Sequence, residues 1–345
     1  MSTVKSADMA PNERGSLSIF IHSQFFGKHR PPPDSTDLSS KTAVVSGANV
    51  GLGFECCRQL LHFKLSHLVL AVRSIQRGEE AAAKLKTEYP KAVIEVMQLD
   101  MLSYDSIQAF VQNISKLPRI DIAILNAGMV APEFVINEAT GHERVIQTNY
   151  LSTMLLSILL LPVLKSNSST GIPGRLTIVG SGVSYFAKMP NQNENPLLAS
   201  FDDTKIMAWD PNERYFSSKV MVSMGLTKIV EYVNPDDVIV NVVDPGYCKG
   251  SDLHRDVHGI LSAIIGFSKT LTARTAVVGA STYLDAAVVR GKDSHGCFLM
   301  DWDVKPFPKL MHGEQGRKIA DKLWAETMKE FEFANAKGIL EGLKA

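Results

Sequence analysis

From residue 42 onward, short apolar runs alternate with longer stretches whose apolar residues recur every three or four positions. The short runs predict strands over residues 42–46, 68–72, 93–98, 120–125, 176–179, 238–243 and 297–299, since a brief continuous apolar run suits a strand buried on both faces. The longer stretches predict helices over residues 52–65, 76–88, 103–115 and 142–164, with a late one over 314–333. Strands taking turns with helices form a βαβ series. The expectation is an α/β fold: a single doubly wound parallel sheet of about seven strands with helices on both faces, filling residues 41–345 as one domain.

Residues 1–40 read differently. They are rich in Ser, Pro and polar groups, include Pro31-Pro32-Pro33, and predict an irregular extension with Phe20, Phe25 and Phe26 packed onto the body. The apolar cluster at 17–26 is broken by His22, Ser23 and Gln24 and lies too far inside to serve as a leader's apolar core. The most hydrophobic run, 151–164, is shorter than a membrane span and contains Pro162, so it predicts a buried helix. The expectation is a cytoplasmic protein with no transmembrane segment, peripheral membrane contact staying open.

Composition narrows the partners. Hydrophobic residues make up 45% of the 345 and charged residues 21%, enough to bury a sizeable core. Lys plus Arg equals Asp plus Glu, 36 against 36, so no excess charge draws the chain to nucleic acid or an anionic membrane. The cysteines, Cys56, Cys57, Cys248 and Cys297, form no Cys-x-x-Cys pair and read as reduced thiols, a reactive Cys248 being the alternative. His254 and His258 are four apart but lack a third ligand, so no metal is expected.

The first predicted strand runs into Ser46-Gly47-Ala48-Asn49-Val50-Gly51-Leu52-Gly53, with a helix behind it. A glycine-rich turn there lets the backbone approach a pyrophosphate, and the helix N-terminus supplies unpaired N–H groups and partial positive charge. At the end of the second strand, an acidic residue would bond a ribose 2′-hydroxyl and repel a 2′-phosphate. This chain has Ala71-Val72-Arg73-Ser74, with Arg77 one turn on, and a guanidinium pairs with phosphate. NADP(H) is therefore expected over NAD. Further on, Tyr215-Phe216-Ser217-Ser218-Lys219 places a phenol and an ammonium on one helical face. A neighbouring ammonium favours the phenolate and so suits the Tyr to acid–base work.

The Gly-x-x-x-Gly-x-Gly spacing and the order Asn149, Ser181, Tyr215, Lys219 resemble the short-chain dehydrogenase/reductase family, whose fold is of the Rossmann type. The loop, the AVRS strand end and the long Ser-to-Tyr segment look most like its retinol-dehydrogenase-like branch and fungal relatives. Ser46 stands where the family usually has Thr. The resemblance implies that Ser46, Gly47, Asn49, Gly51, Leu52, Gly53 and Arg73 hold the nucleotide. It implies that Asp100 meets the adenine amino group and that Asn126, Ala127 and Gly128 line the adenine ribose. Tyr215 would be the proton donor in reduction and the base in oxidation, with Lys219 on the nicotinamide ribose. Ser181 would bond the substrate oxygen, and Asn149 would anchor a water leading to Lys219. Pro245 and Gly246 would meet the nicotinamide. The usual hydroxyl residue after them is displaced, with Gly250 at its position and Ser251 next.

Substrate class is left to two segments near 185–212 and 250–272, which in this family overhang the nicotinamide. Their apolar residues, among them Phe186, Met189, Leu197, Leu198, Phe201, Met207 and Trp209, suggest a lipophilic small molecule, possible tailoring of a polyketide or terpenoid included, or else ordinary packing. The leading expectation is an NADPH-dependent carbonyl reductase or the reverse alcohol dehydrogenase. A redox-neutral isomerase or dehydratase and a non-catalytic NADP-binding sensor stay as alternatives. The apolar helix at 151–164 resembles the region that pairs subunits in relatives, which leaves a homo-oligomer open.

Overall fold

The computed structural model describes residues 4–166, 171–249 and 273–344. Its centre is one eight-stranded sheet built from β1 (Thr42–Ser46), β2 (His67–Val72), β3 (Val93–Gln98), β4 (Ile122–Leu125), β5 (Gly174–Val179), β6 (Val238–Asp244), β7 (Phe298–Met300) and β8 (Asp303–Lys305). The strand order is β3-β2-β1-β4-β5-β6-β7-β8. The first seven run parallel and β8 closes the edge antiparallel to β7. Strand order reverses direction between β1 and β4, and in open α/β sheets the crevice beyond that point is where ligands bind.

The strands are apolar on both faces because helices cover both. Against one face lie α2 (Gly51–His62), α3 (Ile75–Glu88) and a helix at Ala276–Leu284, with Cys56, Cys57, Leu60, Ala82, Leu85 and Tyr283 at its core. Against the other lie α4 (Tyr104–Ile114), the 22-residue helix Arg144–Lys165, Pro211–Ile229 and the late helix Gly313–Glu330. Their core includes Phe110, Leu155, Val220 and Leu323. Serine caps start α3 and α4, where Ser74 and Ser103 accept from Arg77 N and Ser106 N.

Arg144–Lys165 is long and apolar enough to cross a membrane by length and composition, but 89% of its apolar window is buried inside the protein. It is the central helix of this face, as the interruption at Pro162 led one to expect. One turn of it, Gln147–Leu151, opens into π geometry around Asn149. Such bulges are frequent at functional sites.

Three sequence expectations need correction. Residues 16–26 are not irregular: they form a helix, α1 (Ser16–Phe26). Its Phe20 faces inward, yet Phe25 and Phe26 are 57% and 67% exposed. Polar links fix the helix orientation instead, with Ser16 Oγ donating to Tyr185 O (2.6 Å) and Ser23 Oγ to Asp301 (2.7 Å). Second, β8 escaped notice because a three-residue strand with one buried side chain has no periodic signal. Third, the lid reading of 185–212 narrows: most of its apolar residues take the packing alternative, while Pro211 at its end lines the cleft. Met189, Leu197, Leu198, Phe201 and Met207 are all buried in the core. Carboxylates pin the segment down. Glu213 accepts from Lys188 N and Met189 N, and Glu326 from Leu197 N and Leu198 N. The second expected segment, 250–272, with Ser251, His254 and His258, lies outside the described residues.

Candidate active site

At the carboxyl ends of the strands, where the order reverses, opens a cleft of about 630 Å³. One half is backbone. β1 ends at Ser46, whose buried hydroxyl accepts from Ala127 N (2.9 Å) and so ties the first loop to the fourth. Gly47 takes φ +65°, a left-handed conformation that glycine adopts freely. At Gly53 a Cβ would stand 2.4 Å from the Gly47 carbonyl oxygen, so the loop closes onto α2 only because that position is glycine. Val50, at the N-cap of α2, supplies no side-chain acceptor. The first amides of α2 are thus left to an anion.

Gly47, Asn49, Gly51, Leu52, Arg73, Asp100, Asn126, Ala127 and Gly128 all line this half. Ser46 and Gly53 stand behind it as supports. Asn126 Nδ2 donates to Ser46 O (3.0 Å), while its Oδ1 accepts from the Tyr283 hydroxyl (3.0 Å). Arg73 and Arg77 lie exposed along the wall at the end of β2. Asp100 caps its own turn through Leu102 N (3.0 Å).

The other half is made of side chains. Ser181 follows β5 and caps the short turn Gly182–Phe186, accepting from Val183 N (3.3 Å), and its hydroxyl lies against the phenol of Tyr215. Ser184, three residues on, is buried and lines no part of the cleft. The helix carrying Tyr215 starts at an Asp210 cap followed by Pro211, the preferred residue order for an N-terminus. One turn on, Lys219 places Nζ 5.7 Å from the Tyr215 ring centroid and donates to Val179 O (2.9 Å). Burial lowers the Lys219 pKa to about 8 against the opposing pull of Asp244. Burial also pushes the Tyr215 phenol up, the Ser181 bond working the other way. Without a ligand the phenol holds its proton at neutral pH.

Asn149 sits directly behind. Its Oδ1 accepts from Met129 N (2.8 Å), and its Nδ2 donates to Met129 O (2.9 Å) and Ser218 Oγ (3.0 Å). Ser218 in turn donates to Tyr215 O (2.7 Å), so it joins Asn149 to the Tyr215 turn. Asn149, Ser181 and the Tyr215–Lys219 pair, which lie tens of positions apart in sequence, are brought together here. Pro245 and Gly246 complete the wall, and Arg274 Nη1 holds Pro245 O (3.3 Å). All four cysteines are buried and none is cross-linked. Among the described residues no cluster of His, Cys, Asp or Glu could hold a metal.

Residues 41–193 match the short chain dehydrogenase family. Over 94% of its length the chain is 53% identical to a short chain dehydrogenase/reductase of Annulohypoxylon moriforme, covering 94% of that protein. A short chain dehydrogenase of Hypocrea virens is 41% identical, over 92% of this chain and 93% of its own. The chain belongs to the short-chain dehydrogenase/reductase family. Both relatives are fungal, which places it in that branch. Among solved structures it resembles the RhlG/NADP complex of Pseudomonas aeruginosa (TM-score 0.57, 20% identity, 81% of this chain and 98% of the other). It also resembles salutaridine reductase of Papaver somniferum (TM-score 0.55, 20% identity, 76% and 99%). These distant likenesses concern the fold.

Among the residues of this short-chain dehydrogenase's cleft that sequence reading missed, four stand out. Phe20, Ser23 and Gln24 line the cleft from α1, and Asp244, buried at the end of β6, accepts from Gly182 N (2.8 Å) beside Ser181. None lies in a motif of fixed spacing. Asp244 was visible as the residue before Pro245-Gly246, but its burial was not.

Proposed function

We propose that this dehydrogenase uses NADP(H) to move hydride between nicotinamide and the carbonyl/alcohol pair of a lipophilic small molecule. The observation that carries the reading is the convergence of Ser181, Tyr215 and Lys219 on one wall of a cleft whose other half is a phosphate-fitting backbone turn. Arg73 and Arg77, with no carboxylate at the end of β2, suit a 2′-phosphate rather than a bare ribose. NADP in the RhlG structure supports the same choice. The substrate half carries Phe20, Val183, Phe216, Tyr247 and Met300, which favours an apolar body around the reacting carbonyl. A tailoring step on a polyketide or terpenoid falls within this reading.

The residues present fit the nucleotide. Gly47, Gly51 and the α2 N-terminus would cradle its pyrophosphate, Asp100 and the 126–128 loop its adenosine, and Lys219 with Pro245-Gly246 its nicotinamide end. When bound in reduced form, the nucleotide supplies the hydride that adds to the carbonyl carbon. Ser181 donates a hydrogen bond to the carbonyl oxygen. Tyr215 passes its phenolic proton to that oxygen as negative charge develops, which completes the alcohol. Lys219, kept close by Val179 O, favours the phenolate left behind and lets the proton be replaced. Since the Asn149 side chain is committed to Met129 and Ser218, a water leading to Lys219 would be held by backbone at the π turn. In oxidation each step runs backwards, with Tyr215 as base.

The test is NADPH and NADH consumption against lipophilic ketones and aldehydes, with the unaltered chain and Tyr215→Phe. Turnover with NADPH is expected, and the variant should lose about 10²–10⁴ in kcat while still binding the nucleotide. NADPH binding without reduction of any carbonyl would instead favour a sensor, or an isomerase or dehydratase with no net redox change.

A further inference from the structure

Residues 1–40 precede the matched family segment, which begins at residue 41. Yet α1 is fastened to the cleft rather than trailing from the body. Gln24 clamps the backbone of Tyr247 from both sides, its Nε2 donating to Tyr247 O (3.0 Å) and its Oε1 accepting from Tyr247 N (3.2 Å). Arg274 Nη2 donates to Ser23 O (2.7 Å) and pairs with Asp301 (2.5 Å), to which Ser23 Oγ also donates. Arg274 thus bridges α1 to the 245–248 loop and to the β7–β8 turn. With the helix held so, Phe20 and Gln24, four apart on one face, line the cleft that Ser181 and Tyr215 line. The Phe20 ring lies 6.1 Å from that of Tyr247, tilted 60°. The Gln24 amide is engaged by backbone, so what this wall offers a substrate is mainly aromatic carbon.

We infer that α1 is a wall of the substrate subsite and that Phe20, with Tyr247, is a specificity-determining pair for flat aromatic substrates. The inference rests on the proposed carbonyl chemistry for the site and adds the class of molecule it receives. Rings prefer offset-stacked or edge-on contact with other rings, a preference that a saturated ring of the same size does not satisfy. The pair therefore discriminates by shape and ring electrostatics, independently of the hydride step.

Binding and turnover are measured separately on the full chain. Calorimetric titration of 2-naphthol and of trans-decahydro-2-naphthol, with and without NADP⁺, compares the unaltered protein with Phe20→Leu, which keeps apolar bulk but removes the ring. A control, Leu17→Ala, lies on the exposed side of the same helix. Phe20→Leu is expected to weaken 2-naphthol about fivefold and to change the saturated ligand less than twofold, with Leu17→Ala altering neither. Failure of the unaltered chain to bind 2-naphthol overturns the inference. So does equal weakening of both ligands, no change in either, or the same loss in Leu17→Ala. Reduction of 2-naphthaldehyde is then followed. If 2-naphthol binds with the expected discrimination but the aldehyde is not reduced, the aromatic wall stands and the carbonyl-reductase reading falls.

Discussion

The two halves of the cleft are built by different means. The nucleotide half is a local structure: one strand, one turn and one helix start, consecutive in sequence, with the 126–128 loop tied on through Ser46 and Asn126. The groups that face the pyrophosphate position are backbone amides, and its glycines are fixed by a left-handed backbone at Gly47 and close approach at Gly53. The catalytic and substrate half is assembled from side chains of α1, the end of β5, the Tyr215 helix, the end of β6 and the 245–248 loop. Behind it stands a buried scaffold centred on Arg214, the residue before Tyr215.

Arg214 and Glu143 are both fully buried, 3.7 Å apart. Burial works against both charges, pushing the Glu143 pKa up and that of Arg214 down, and each partner's charge opposes the other's shift. Glu143 also accepts from Val145 N (2.9 Å) and Ile146 N (3.2 Å), which starts the helix leading to Asn149. Arg214 donates to Phe201 O and lies over the rings of Phe134, Phe201 and Trp209. One guanidinium thus joins the Tyr215 helix, the Asn149 helix and the 185–212 segment. The lesson is that a backbone site can be specified by spacing, whereas a side-chain site needs a scaffold to bring distant residues into register.

The sharpest way to break this contrast is Arg214→Ala. It leaves Glu143 buried without its partner, and about 3–5 kcal/mol of stability is expected to go, read by denaturant unfolding. A loss under 1 kcal/mol would mean the scaffold lies elsewhere. Arg73→Ala acts on the other half and is expected to leave stability alone. NADPH should bind about 10- to 100-fold more weakly, with NADH little changed, as removal of a charged hydrogen bond implies. Equal weakening of both nucleotides would remove Arg73 from 2′-phosphate recognition.

The smallest expected effect concerns pH. His142 bonds Asp202 (2.8 Å) and reaches Glu330 (3.3 Å), fastening the substrate-side segment to the late helix. Burial opposes its charge, but the two carboxylates outweigh burial and raise the pKa to about 9 from the ordinary 6.5. A raised folded-state pKa means the stabilisation is complete below about 6.5 and fades as pH rises through about 9. The difference in unfolding free energy between the unaltered chain and His142→Gln should therefore shrink by about 2 kcal/mol from pH 6 to pH 10, less than the full shift implies because water screens the partly exposed pairs. The difference removes the opposite trend from Lys219, whose depressed pKa makes stability rise over the alkaline range. A gap that stays constant with pH would show that His142 serves by packing alone.

Much of the fold was legible from pattern alone. All seven parallel strands fall within about two residues of their apolar runs, because a strand covered on both faces has to be apolar throughout. The Gly47 turn, Arg73, Ser181, Tyr215 and Lys219 were legible because their positions follow strand ends and one helical turn. The wall made by α1 was not. Phe20 and Gln24 belong to no recognised motif, and the polar break at residues 22–24, which argued only against a leader's apolar core, supplies the bonds that dock the helix. The apolar residues of 185–212 left two readings open for a different reason. Apolarity says that a side chain leaves water, not whether it enters the core or a cleft. The sequence by itself determined the α/β alternation, the glycine turn after β1 and the placing of Tyr215 and Lys219 on one helical face, since periodicity and chain-local spacing encode them. Only the tertiary structure decided which distant surfaces close the cleft and that Arg214 and Glu143 meet in its support. Those contacts join residues tens to hundreds of positions apart, and no local pattern records which of them will touch.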